Sequence, residues 1–192
     1  MHKSYPKFFI FLDQYDSRIF KNNNTNIGII YRNYNSKKRE KELIKIAKAC
    51  KARRYQLFVS NDIKLTIKFK AEGIYIPSFN KTKSFINLEK KNIKILGSAH
   101  NQKEIQTKIS QNCNAIFLSP IFNINKNINF LGLHKFNFIS YRNNIEILAL
   151  GGISKNNIPR LKLLNTKGFG GIRIFKKKTG LERPVFIKKN FF

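Results

Sequence analysis

The sequence predicts an α/β fold: a compact (β/α)8 TIM barrel whose last helix is reduced or missing. Three observations carry this. Short, near-continuously apolar runs recur along the 192 residues, which is how parallel strands buried on both faces read. Segments with helical spacing lie between the runs, and regular strand–helix alternation favours a parallel sheet. The units number eight and are evenly spaced, which favours a closed barrel over an open doubly wound sheet. The chain is short for this fold, since about 250 residues is typical.

The apolar runs are residues 8–12, 27–31, 56–60, 73–76, 93–97, 115–119, 145–150 and 168–174. After the first and fourth runs little chain is left before the next, so the helices there are brief. Residues 38–51 place Leu43, Ile44, Ala47 and Cys50 on one face at offsets of three and four, the spacing of an amphipathic helix. In 101–112, Ile105 and Ile109 are four apart, and Asn101 with Glu104 resembles a capping box. Residues 133–141 form a shorter aromatic segment. In 154–164, Ile158, Leu161 and Leu164 recur at every third position, with Pro159 in the first turn, where its missing N–H costs little. Residues 176–192 carry Gly180 and Pro184 and read as an extended tail rather than an eighth helix. No linker or low-complexity stretch divides the chain, so a single domain over 1–192 is expected.

Lys and Arg total 38 against 10 Asp and Glu, a formal charge of +28. Such a field favours anionic ligands, phosphate esters among them. The basic residues are mostly Lys spread along the whole chain, with Lys37-Lys38-Arg39 and Lys176-Lys177-Lys178 the densest clusters. A nucleic-acid footprint concentrates on one face or in a recognition motif, so nucleic acid is not the expected partner, and an AT-biased composition accounts for the excess. No apolar run reaches the roughly 18–20 residues of a membrane span, so a membrane is not an expected partner either. Cys50 and Cys113 are too few for a disulfide scaffold and fit a reducing, cytoplasmic setting. Homo-oligomerisation is compatible with the sequence.

In a barrel the chemistry gathers at the C-terminal ends of the strands. Those ends read Asp13, Tyr31-Arg32-Asn33, Ser60-Asn61-Asp62, Pro77-Ser78-Phe79-Asn80, Gly97-Ser98-Ala99-His100, Ser119-Pro120-Ile121-Phe122, Gly151-Gly152-Ile153 and Gly170-Gly171-Ile172-Arg173. Two readings stand for the polar groups: a functional face, or caps of the following helices. The glycine pairs after the last two strands let backbone N–H groups approach a phosphate; they also suit a tight turn. His100 reads either as a general base or anion donor or as a histidine bonded to a neighbouring loop carbonyl. Asp62 is the candidate metal ligand, and one carboxylate suits an Mg²⁺ held mainly by substrate phosphates and water.

From residues 8–13 to Gly168-Phe-Gly-Gly-Ile-Arg173 the chain resembles the thiamine phosphate synthase/TenI family, most specifically in Phe58-Val-Ser-Asn-Asp62, Gly73-Ile-Tyr-Ile-Pro77, Leu96-Gly-Ser-Ala-His100, Ser119-Pro-Ile-Phe122 and Ala149-Leu-Gly-Gly-Ile153. The resemblance implies coupling of a hydroxymethylpyrimidine diphosphate to a thiazole phosphate, with Mg²⁺ serving the leaving diphosphate. It implies Arg32 as a diphosphate-binding arginine, Asn61 and Asp62 as the Asn-Asp pair with Asp62 on Mg²⁺, and Ser98 as a diphosphate contact. Gly151, Gly152, Gly171 and Arg173 then form the thiazole-phosphate cradle. The sequence departs from the family pattern at Ile30 for Gln, Tyr34 for Lys, Asn80 for the second metal carboxylate, and Asn123 and Asn125 for threonines. Lys126 is the candidate to substitute in part for the lost lysine, and Lys176 stands where a serine is expected. Pro120 stands where the family's tautomerase branch carries a His, so a divergent synthase-like branch is the nearer match. The alternative is a non-catalytic, TenI-like binder of a thiamine-related phosphate.

Overall fold

The computed structural model describes residues 5–21, 26–34, 38–124 and 129–175. The tail 176–192 and Lys126 lie outside the described residues, as does the side chain of Arg173. Eight strands close into one parallel barrel in the order β1 to β8. They are β1 (Phe8–Leu12), β2 (Ile27–Tyr31), β3 (Gln56–Ser60), β4 (Gly73–Ile76), β5 (Lys94–Ala99), β6 (Ala115–Leu118), β7 (Glu146–Leu150) and β8 (Phe169–Gly171). β8 pairs back onto β1 with Phe8 opposite Phe169 and Ile10 opposite Gly171, so the sheet has no open edge.

The middles of the strands are apolar because both faces are covered, with polar residues such as Gln56, Ser60, Lys94, Ser98 and Glu146 towards their ends. Side chains alternate across a strand, so Phe9 and Phe11 enter the barrel while Phe8, Ile10 and Leu12 pack outward under the helices. The interior is a block of rings: Phe9 lies 5.0 Å from Phe117 edge-on, and Phe11 lies 5.3 Å from Tyr75 and 5.4 Å from Phe117. Such rings fit only where the facing strand offers nothing. A Cβ at Gly28 would stand 2.6 Å from the Phe9 ring, one at Gly73 2.6 Å from Phe58, and one at Gly170 2.8 Å from Phe11. Large and small residues thus interlock at interior density.

The outer layer is thin. α1 (Arg39–Arg53), α2 (Ile63–Lys68), α3 (Gln102–Ser110) and α4 (Gly132–Tyr141) cover four of the crossings. Short 3₁₀ turns at Ile19–Lys21 and Ile86–Lys91 serve the brief connections expected after the first and fourth strands. The segment expected as an α-helix over 154–164 is a 3₁₀ helix, Ile158–Leu163. The reason lies in its spacing: apolar residues at every third position match the three-residue turn of a 3₁₀ helix better than the 3.6 of an α-helix. β8 is also shorter than its apolar run, because the chain turns into a 3₁₀ segment at Arg173–Phe175.

Candidate functional site

Strand alternation builds the upper rim. Two residues beyond an inward-facing apolar side chain the next inward position is reached, and there the sequence turns polar: Phe11 gives way to Asp13, Ile30 to Arg32, Phe58 to Ser60 and Leu96 to Ser98. One polar layer therefore sits on the aromatic plug at the C-terminal end of the barrel.

Arg32 leaves β2 over the Phe11 ring, its guanidinium carbon 5.9 Å from the ring centroid. Its Nε donates to Asp13 Oδ1 at 3.1 Å and its Nη2 to Asp13 Oδ2 at 3.3 Å, a two-point grip. Burial pulls the Arg32 pKa down, the Asp13 bond and charge outweigh it, and the net shift is upward. Ser60 is fully buried and its Oγ donates to the Tyr34 hydroxyl at 3.0 Å. Burial raises the Tyr34 pKa while the Ser60 bond, Arg32 and Arg39 oppose it, which puts this phenol within electrostatic range of both arginines. Tyr75, raised by burial, bonds Ser98 and also feels Tyr34 and Arg32. Tyr34, Ser60, Tyr75 and Ser98 are thus linked by hydrogen bonds, and the Asp13–Arg32 pair shares their layer of the rim.

Asn61 and Asp62 follow β3. Asn61 holds a left-handed φ of 56° and its Oδ1 accepts from the Asn80 amide. Asp62 caps α2, its Oδ1 accepting from the Leu65 N–H at 2.9 Å. Its other oxygen accepts from Arg39 Nη1 at 3.2 Å. Arg39 opens α1, where the Tyr31 hydroxyl donates to its carbonyl at 3.1 Å, and its Nη2 donates to the Ser60 carbonyl.

Behind Asn80 lies a buried polar clamp. Lys108 of α3 is 0% exposed. Its ammonium donates to the Pro77 carbonyl at 2.8 Å, the Asn80 carbonyl at 2.7 Å and Gln111 Oε1 at 2.9 Å. Gln111 Nε2 donates to the Asn80 carbonyl at 3.1 Å and the Thr82 carbonyl at 2.6 Å. Burial pushes the Lys108 pKa down to about 8. The clamp fixes the loop that aims Asn80 at Asn61.

His100 stands apart from this network. Its backbone N–H donates to Glu104 Oε2 at 2.8 Å, and its ring Nδ1 meets the same oxygen at 2.9 Å. With Asn101 Oδ1 accepting from the Glu104 N–H at 3.0 Å, it belongs to the start of α3, and its ring partner is the Glu104 carboxylate rather than a loop carbonyl. Gly151 and Gly152 adopt φ of 89° and 72°, the left-handed region that favours glycine. A Cβ on Gly152 would strike the Phe122 carbonyl, so these turns seat the chain after β7 against the chain after β6. Gly171 is the buried last residue of β8. Gly170 is needed by the rings inside the barrel, so packing alone accounts for one glycine of that pair.

Sequence reasoning missed Arg39, Tyr75 and Lys108. Arg39 was hidden in the cluster Lys37-Lys38-Arg39, where composition made it look like surface charge. Lys108 carried a signal: it lies one turn after Glu104 on the face that holds Ile105, where a charged residue is out of place unless partnered.

Fold and site define a (β/α)8 barrel with an arginine-bearing polar rim at the C-terminal ends of its strands. Residues 23–174 match the sequence model of the family described as thiamine monophosphate synthase, and the chain belongs to that family. It is 29% identical over 154 residues to "Thiamine-phosphate synthase" of Prochlorococcus marinus, covering 77% of this chain and 43% of that one. It is 26% identical over 143 residues to "Putative thiamine-phosphate synthase 2" of Aquifex aeolicus, covering 71% and 77%. The chain thus spans well under half the length of the Prochlorococcus relative. Among solved structures, a thiamine phosphate pyrophosphorylase from Pyrococcus furiosus superposes with a TM-score of 0.71 at 15% identity, over 88% of this chain and 87% of that one. Among the described residues no helix is long and apolar enough to cross a membrane.

Proposed function

We propose that this chain is a transferase of the thiamine phosphate synthase type, a single-domain barrel that takes small phosphorylated substrates. It would join a hydroxymethylpyrimidine diphosphate to a thiazole phosphate and release diphosphate. The observation that carries the reading is one polar layer on the rim: Arg32 held by Asp13, Ser60 bonded to Tyr34, and Ser98 bonded to Tyr75, at the same end of the barrel as the Gly151-Gly152 turn. A leaving diphosphate needs oriented donors, and Arg32 and Ser98 are the groups assigned to it. The cation left on the pyrimidine needs exclusion of water, which the aromatic plug beneath the rim provides on one side. Asn61 and the Gly151-Gly152 turn are assigned to substrate contact, together with Gly171, Arg173 and Lys126. His100, tied to Glu104, is assigned no proton transfer. The free, buried cysteines Cys50 and Cys113 suit the cytoplasm.

The family resemblance implies Mg²⁺ at Asp62. Both Asp62 oxygens are engaged, by Leu65 N–H and Arg39, and the second expected carboxylate is Asn80. The residues present do not fit the ion, and no step is routed through it.

The test is a coupling assay with both phosphorylated precursors, run with and without Mg²⁺. Thiamine phosphate should accumulate, and folded protein that makes none under either condition rejects the reading. A second reading is a non-catalytic binder of a thiamine-related phosphate, favoured by Asn80 bonding Asn61 where a carboxylate is expected. Tight calorimetric binding of either precursor with zero turnover would decide for it.

A further inference from the structure

The carboxylates of this rim are already held by arginines. Asp13 accepts two bonds from Arg32, and Asp62 divides its oxygens between the cap of α2 and Arg39. Asn80 is committed as well: its amide donates to Asn61, and its Oδ1 accepts from the Thr82 N–H at 2.8 Å and hydroxyl at 3.0 Å. A magnesium ion takes near-octahedral oxygen ligands and normally binds through one or two carboxylates. Among the described residues no three His, Cys, Asp or Glu side chains gather in a way that could hold a metal.

Positive charge nevertheless reaches this place. The Arg39 guanidinium extends from the first residue of α1 to Asp62 and the Ser60 carbonyl. Its side chain is 15% exposed, and its guanidinium carbon lies 6.0 Å from the Tyr31 ring centroid. Its Nε–H is buried and has no acceptor among the described residues, and the bonds to Asp62 and Ser60 use one N–H on each Nη, so of five N–H donors the second on each Nη is left for a guest. A guanidinium is permanently charged and its planar fork matches phosphate oxygens. Ser60 ties Arg39 to the rim: the Ser60 carbonyl accepts from Arg39 Nη2 and the Ser60 Oγ donates to the Tyr34 hydroxyl.

We infer that the rim after β3 takes its phosphorylated guest with the Arg39 guanidinium standing in for a divalent cation, so that diphosphate binding here does not depend on metal. The inference deepens the proposed function and rests on that reading of the rim. Asp62 then acts as a positioning residue, holding Arg39 and capping α2.

Calorimetric titration of the full chain with inorganic diphosphate, at fixed ionic strength, in EDTA and again in Mg²⁺, tests this. One-site binding is expected in EDTA, with no gain from Mg²⁺. Arg39→Met should weaken it tenfold or more, with Arg39→Lys falling between. Asp62→Asn is the sharper variant, because Asn caps a helix as well as Asp and the fold is kept. Binding to Asp62→Asn should be equal or tighter, since Arg39 is released from its carboxylate, whereas a metal ligand at Asp62 predicts loss. Binding that appears only with Mg²⁺ and disappears in Asp62→Asn overturns the inference and leaves the proposed function standing. Wild-type affinity in a folded Arg39→Met also overturns it. No one-site binding in either buffer overturns both. Should Arg39→Met fail to fold, Asp62→Asn alone decides.

Discussion

Lys108→Met replaces a buried ammonium with an apolar chain of similar length, and its cost can be worked through the three acceptors. Pro77 O keeps the Asn80 N–H at 3.1 Å, and Asn80 O keeps Gln111 Nε2 at 3.1 Å. Gln111 Oε1 has no other donor among the described residues and is orphaned. Three bonds from a charged donor are worth about 1.5–3 kcal/mol each. Against them stands the cost of burying the charge: a pKa lowered from 10.5 to about 8 corresponds to about 3 kcal/mol at 1.36 kcal/mol per unit. The balance leaves the variant less stable by about 1.5–6 kcal/mol, or roughly 3–24 °C in Tm for a chain of this size. The pH dependence has a definite sign. A lysine whose native pKa is depressed costs stability while it is charged in both states. Between about pH 8 and 10.5 the unfolded chain holds the proton longer, so wild-type stability rises with pH through that window. The variant lacks this contribution, so the gap between the two should widen from pH 8 to 10, the tyrosines contributing equally to both. Urea unfolding of both proteins at pH 7, 8, 9 and 10 measures it. A variant as stable as wild type, or a gap that narrows with pH, would refute the reasoning.

Three further outcomes follow from the same geometry. Gly152→Ala puts a Cβ on the Phe122 carbonyl at a φ of 72° and should cost at least about 1–3 kcal/mol in urea unfolding. Gly73→Ala puts a Cβ 2.4 Å from the Lys94 carbonyl and 2.6 Å from Phe58 and should cost about 1–3 kcal/mol, and a neutral result would mean that both the β4–β5 pairing and the aromatic plug give way freely. Arg32→Ala should lower the coupling rate by about 10²–10³, read by product formation under saturating precursors.

The barrel was legible because its strands are buried on both faces: continuous apolar runs at regular intervals admit few other folds. The brief turns after β1 and β4 followed from chain length alone. Less was legible in 154–164, where periods of 3.0 and 3.6 cannot be told apart over so few residues without noting that every repeat is three. At the site, single residues at strand ends were readable and their pairings were not. Asp13 and Arg32 are 19 positions apart, Arg39 and Asp62 are 23 apart, and only barrel closure brings such pairs together. For Asp62 the cap of α2 was therefore readable as one alternative, and the ion pair with Arg39 was not. For the Gly170-Gly171 pair the sequence left a phosphate approach and a tight turn open, and nothing local reveals that Phe11 and Phe117 need the space at Gly170.

The +28 charge creates a field that draws in any anion, and a field is not a site. The rim converts charge into direction. Arg32 is held by Asp13, and Arg39 by Asp62 and the Ser60 carbonyl, so each guanidinium is ordered before a guest arrives. A surface lysine has to be ordered on binding, at about 0.5–1.5 kcal/mol per side chain. The two contributions separate with salt, because exposed charges are screened beyond about 3 Å at 1 M ionic strength and close, partly buried contacts much less. Diphosphate binding should therefore keep one-site stoichiometry as salt is raised to about 0.5 M, while the diffuse excess bound at low salt disappears. If the single site vanishes together with that excess, the pinned arginines contribute nothing that the scattered lysines do not, and the rim has no claim to be a site.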